Sequence, residues 1–224
     1  EYRRQRQMCI RDRKDAQGNF ILDANGNKEK VSIQFLQGSQ VTTGQNGRLI
    51  AAAPEVTNAG TLTSPDGQIL LVAASDKVYL QEASGDPNLR GLLVEVKTGG
   101  EVTNNGQITT LHGNTTMMGF AVNQAGRISA NTSVSQNGSI RLLAREGASV
   151  QSTVDGYVLK PGTTTRSSDQ GDGLGLNSKV TFKSGSETTA SPDLTDKTTA
   201  VDAQPQVASK IDVMGESIEV QDKA

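Results

Sequence analysis

Residues 104–147 read NNGQITTLHGNTTMMGFAVNQAGRISANTSVSQNGSIRLLAREG. One phrase recurs there, a turn pair followed by Gly-x-Ile: Asn105-Gly106-Gln107-Ile108, Ala125-Gly126-Arg127-Ile128 and Asn137-Gly138-Ser139-Ile140. Gly106 and Gly126 are 20 residues apart, and Gly126 and Gly138 are 12 apart. Gly and Asn adopt positive φ at little cost and so punctuate the chain, while the aliphatic and β-branched residues between them suit short strands. Such intervals are too short for a strand–helix–strand unit, so the pattern predicts an all-β coiled repeat.

The same phrase extends upstream as Asn46-Gly47-Arg48-Leu49, Ala59-Gly60-Thr61-Leu62 and Asp66-Gly67-Gln68-Ile69. Gly47 and Gly67 are again 20 residues apart, and the 39 residues from Gly67 to Gly106 read as two further turns of that length. A parallel β-helix is therefore expected over most of Val31–Val158, with Gly67, Gly106 and Gly126 at equivalent corners. Alternation assigns the faces. Leu92, Val94 and Val96 are expected inward, and Leu93, Glu95 and Lys97 outward. Likewise Ile140, Leu142 and Ala144 are expected inward, against Arg141, Leu143 and Arg145 in solvent. Residues 15–160 form the main body of this reading. Residues 161–224 add further coils interrupted by two excursions outside the helix, at 161–178 and 191–209, where Gly, Ser, Thr, Asp and Pro displace the strand pattern.

Composition agrees with a solenoid. Only 34% of the 224 residues are hydrophobic and 3% aromatic, with no Trp and 24 Gly. A core one coil wide needs few large side chains, whereas a sandwich or doubly wound enzyme packs more. No apolar run reaches the roughly 18 residues of a membrane span, so no stable membrane insertion is expected. The single Cys9 excludes an internal disulfide and a Cys-based metal site. Charge is uneven: residues 1–14 carry six Arg and Lys against Glu1 and Asp12, leaving the rest of the chain net acidic. This arm is expected to be disordered. Its stretch RQRQMCIRDR also resembles translated sequencing-adapter sequence, which would make it, and Cys9 with it, foreign to the protein. No nucleic-acid partner is expected, because Tyr2 is the arm's only aromatic residue and no binding module follows.

Several phrases in order carry a resemblance. They are Gly47–Ala51, Asn58–Ala74, Asp76–Leu80, Asp86–Val96, Ala121–Ile128, Gly138–Arg145 and Val201–Gln206. From about Phe35 onward the chain resembles the filamentous haemagglutinin family. The resemblance implies a right-handed parallel β-helix belonging to a large secreted adhesin of Gram-negative bacteria. It implies export by two-partner secretion through an outer-membrane barrel transporter, and a cell-surface or extracellular location. It also implies a host or matrix receptor, carbohydrate or protein, for cell adhesion or biofilm formation. The family's early Asn-Pro-Asn turn is absent and the last strands lack a cap, so an internal segment of a longer chain is expected.

Two other functions fit a β-helix: the stalk of a contact-dependent toxin, and a polysaccharide-degrading lyase or glycosidase. The enzyme would need carboxylates, or Ca²⁺ with an Arg or Lys base, on one outer face. Its candidates are Asp76, Glu82, Glu95, Glu101, Arg141 and Arg145. No spacing sets two carboxylates at equivalent positions of adjacent 20-residue turns, so these are read as a solvated face. His112, the only histidine, lies in a Leu-His-Gly turn without an identifiable nucleophile. Asp169–Gly173 is oxygen-rich but lacks the ligand register of a Ca²⁺ loop. The reading is therefore non-enzymatic, with no catalytic residue, cofactor or metal ligand assigned. Asn114-Thr115-Thr116 and Asn131-Thr132-Ser133 are expected to form hydrogen-bonded ladders along the coil.

Overall fold

The fold is given by a computed structural model that describes residues 16–17, 19, 21–22, 31–82, 91–133, 138–154, 156–193 and 208–224. Residues 1–14, and with them the basic arm and Cys9, lie outside the described residues. The strands follow one another in threes. The first coil comprises β1 (Ser32–Phe35), β2 (Gln40–Thr42) and β3 (Arg48–Ala53). The second comprises β4 (Glu55–Asn58), β5 (Thr61–Thr63) and β6 (Gln68–Ala73). A hairpin, β7 (Val78–Glu82) with β8 (Leu92–Val96), then leaves the stack. The third coil is β9 (Glu101–Asn104), β10 (Gln107–Thr109) and β11 (Asn114–Gly119). The fourth is β12 (Ala121–Gln124), β13 (Arg127–Thr132) and β14 (Ser139–Ala144). A second hairpin follows, β15 (Ser149–Thr153) with β16 (Gly156–Lys160). The stack resumes with β17 (Lys179–Phe182), β18 (Glu187–Pro192), β19 (Lys210–Met214) and β20 (Ser217–Val220).

Every third strand joins the same sheet. The first sheet runs β1-β4-β9-β12-β17-β20, the second β2-β5-β10-β13-β18 and the third β3-β6-β11-β14-β19, with all neighbours parallel. The described residues contain no helix. This all-β stack of parallel sheets is consistent with a β-solenoid.

Inward positions repeat in register, so identical or similar side chains pile into columns. Val56, Val102, Val122 and Val180 form one, Leu62, Ile108 and Ile128 another, and Leu71, Met117 and Leu142 a third, all completely buried. At about 25 cal/mol per Å² of apolar surface, this narrow core is the main stabilising term. A polar column runs beside it. The buried Asn58 Nδ2 donates to Asn104 Oδ1 at 2.8 Å, and Asn104 Nδ2 donates to Gln124 Oε1 at 2.8 Å. Gln124 Nε2 ends the chain on the carbonyls of Gly126 and Glu187. The amide ladder is thus built mainly from these residues. The expected Asn114 site contributes one rung, accepting from the Ser139 hydroxyl of the next coil.

The Gly phrase marks two corners of each coil. A Cβ on Gly106 would lie 2.1 Å from the Gly60 carbonyl, and one on Gly126 would lie 2.1 Å from that of Gly106. Gly113 stacks in the same way on Gly67, and Gly67 on Gly47. Gly67 therefore sits at a different corner from Gly106 and Gly126: it follows Gly60 by seven residues in its own coil, as Gly113 follows Gly106, while the 20-residue interval separates coils. The 39 residues from Gly67 to Gly106 are likewise not two turns, since they contain hairpin β7–β8.

That hairpin corrects three further expectations. It is an excursion additional to the two read from composition, and the one expected at 161–178 begins earlier, with hairpin β15–β16, while of the one expected at 191–209 residues 194–207 lie outside the described residues. Leu92, Val94 and Val96 do not enter the coil. Val94 and Val96 join the buried Leu70, Val72, Ala74, Met118 and Leu143 in a second core on the outer side of the third sheet, against which Leu92 packs. Leu143 and Arg145 are accordingly buried under the hairpin and its neighbours instead of solvated. By contrast Ile140, Leu142 and Ala144 point into the coil, as alternation predicts.

Candidate functional site

A carboxylate column stands on the outer face of the first sheet. Glu55 in β4 and Glu101 in β9 are Cα partners, half-buried on the same side of adjacent strands about 4.8 Å apart. Thr57 and Thr103 repeat the alignment two residues on, beside Asn123. Asn123 Nδ2 donates to Glu101 Oε1 at 2.7 Å. Two carboxylates therefore do occupy equivalent positions of adjacent coils, contrary to the reading from spacing. They are 46 residues apart because the hairpin intervenes. The tetrapeptide Glu-Val-Thr-Asn, present at 55–58 and again at 101–104, was the available signal.

The other sequence candidates are dispersed. Asp76 pairs with Lys97 at 3.3 Å and Glu82 with Arg48 at 3.4 Å, both largely in solvent. Arg141 faces Asp212 at 3.5 Å. Glu95 and Arg145 form a buried ion pair that ties β8 to the end of β14, and Gly162 N also donates to Glu95. Beside it lies a second buried pair that sequence reasoning missed. Arg166, whose side chain is 3% exposed, lies 2.9 Å from Glu146 through both Nη2 and Nε, although Nε lacks hydrogen-bond alignment. Its Nη1 reaches Asp172 at 2.8 Å, and its guanidinium stacks 3.6 Å over the ring of the buried Phe120. Asp172 thus serves as a structural anchor, and Asp169 accepts from Gly171 N in its own turn. An open cleft of about 470 Å³ borders this network, lined by Glu146, Thr163, Thr165, Arg166, Ser167 and Gln170. Buried charges in such numbers need mutual pairing to offset desolvation. Here the pairing fastens the excursions to the stack.

His112 bridges two carboxylates. Its Nδ1 lies 2.9 Å from Asp66 Oδ1 and its Nε2 lies 3.0 Å from Asp193 Oδ2. Asp66 and His112 align because each immediately precedes the stacked Gly67 or Gly113. Partial burial pushes the Asp66 carboxyl up, but hydrogen bonds from Gln45 and His112 and the charge of His112 outweigh it, so its pKa is lowered overall. Glu219 is also held below the ordinary carboxyl value, by Lys179 first and Gln221 second.

Among the described residues no group of three or more His, Cys, Asp or Glu is placed to hold a metal ion. No helix there is long and apolar enough to cross a membrane. No family model, curated protein or solved structure matches the chain.

Proposed function

We propose that this chain is a rigid rod segment of a secreted adhesin resembling the filamentous haemagglutinins, wound as a right-handed parallel β-helix. One observation carries the reading. The inward column Val56–Val102–Val122–Val180 keeps its register across two large excursions, which supports a stack that can be extended coil by coil. A coil that touches only its neighbours adds length without enlarging its core, and suits export as an unfolded chain that stacks as it emerges. In this proposal the parent protein crosses a Gram-negative outer membrane through a barrel transporter and carries the rod on the cell surface, where it meets a carbohydrate or protein receptor.

The test is adhesion of the folded chain. Beads coated with it should bind host cells or biofilm matrix saturably, and heat-unfolded chain should not. Equal binding by folded and unfolded coats would refute the adhesin, and a left-handed coil in a crystal structure would refute the family reading. A second reading is favoured by the Glu55–Glu101 column, since β-helical polysaccharide-degrading enzymes place acidic groups on an outer sheet. Incubation with neutral and acidic polysaccharides decides between them. New reducing or unsaturated ends, lost on Glu101→Gln, would establish the enzyme and displace the adhesin.

A further inference from the structure

Hairpin β15–β16 stands apart from the stack. Among the described residues its strands pair with each other alone, the chain just before β15 being tied to the end of β8 by Gly147 N and Ala148 N donating to the carbonyls of Lys97 and Val96, and two-stranded ribbons alone in water are marginal. It has almost no core of its own. Val150 and Leu159, opposite one another near the base, are half-buried, while Val154 is fully exposed, Tyr157 75% exposed and Val158 48% exposed. Hairpin β7–β8 behaves differently, burying its apolar side on the third sheet and anchoring through Glu95. Strand β15 reads Ser-Val-Gln-Ser-Thr. It carries none of the charges or prolines by which exposed edges avoid pairing.

We propose that the free edge of β15 is an interface with a second copy of this chain, two hairpins joining antiparallel about a two-fold axis into a four-stranded sheet. The strand is chemically self-complementary when reversed. Centred on Gln151, antiparallel pairing sets Gln151 opposite Gln151, Val150 opposite Ser152 and Ser149 opposite Thr153, with no like charges opposed. Such a contact is isologous and closes as a dimer, which removes the exposed edge. Val150, Tyr157 and Leu159 lie on one face of the hairpin by their register, so the joined sheet doubles that apolar face. Two five-residue edges bury less than the roughly 1,200 Å² of a standard interface, and the dimer is correspondingly weak and concentration-dependent. The inference does not depend on the adhesin reading, though it would tie neighbouring rods side by side.

Sedimentation velocity of the full chain over a dilution series tests it. A reversible monomer–dimer equilibrium is expected, and Gln151→Lys should weaken it by about tenfold or more because two ammonium groups would meet at the axis. Unchanged circular dichroism would show that this exposed substitution leaves the fold intact. In a Cys9→Ser background, Gln151→Cys should yield a disulfide-linked dimer on mild oxidation. A chain that stays monomeric throughout, association that survives Gln151→Lys, open-ended assemblies built through the coil ends, or failure of the Gln151→Cys variant to cross-link would each overturn the proposal.

Discussion

Replacing Leu142 by Asp puts a carboxylate into a core only one coil wide, where Met117 and Val213 flank it in an apolar column. The expected loss is about 4 kcal/mol or more, seen as a collapse of the thermal transition. The adjacent Arg141 points outward to Asp212 but is itself largely covered, so Arg141→Ala should cost about 1–2 kcal/mol, well below Leu142→Asp. Melting temperatures of the two variants check the assignment of faces. Asp66 supports a pH prediction. Its lowered pKa means that the folded state stabilises the ionised form, so this contribution is present above the ordinary aspartate value of 3.8 and is lost as pH falls through the depressed folded value. Asp66→Asn should therefore be less stable than the native chain at neutral pH and lose less on acidification. Thermal melts of both proteins from neutral pH down to the carboxyl range measure the difference.

Hairpin β7–β8 shows how an element outside the repeat depends on paired charges. Glu95→Ala would leave Arg145 buried without its carboxylate, and a loss of about 3–5 kcal/mol is expected. Replacing both partners, Glu95→Leu with Arg145→Met, should recover most of that loss, because an apolar pair of similar volume carries no desolvation penalty. Urea unfolding of the single and double variants gives the comparison. A double variant as unstable as the single one would mean that the hydrogen bond from Gly162 N to Glu95, not the ion pair, sets the cost.

Across the stack as a whole, each coil is supported by the coils on either side, and among the described residues the outermost strands have a strand neighbour on one side only. The inward Ile33, Val41 and Leu49 of the first coil are accordingly only half-buried, and Ile218 and Val220 in the last strand are exposed. Amide hydrogen exchange should therefore be slowest in β4–β6 and β9–β14 and fastest in β1–β3 and β18–β20, following local support instead of sequence position. Mass spectrometry of peptic peptides resolves these groups. Uniform protection along the chain would indicate a single cooperative unit.

What could be read from sequence alone was local and periodic. Gly and Asn set the corners, the short intervals excluded helices, and alternation placed Ile140, Leu142 and Ala144 inside, because each inference needs only a residue and its near neighbours. Tertiary structure decided which side of a strand is covered and which distant residues share a column. Alternation separates the two faces of β8 and β14 but does not say what lies over them, so the second core that covers Val94, Leu143 and Arg145 is not legible in the sequence. A fixed period aligns coils only while no residues are inserted. The hairpin between β6 and β9 shifted the register to 46 residues, and thereby hid the Glu55–Glu101 column and the alignment of Asp66 with His112. Pairing between coils is made by backbone hydrogen bonds across space, which are indifferent to how much chain has been looped out between them.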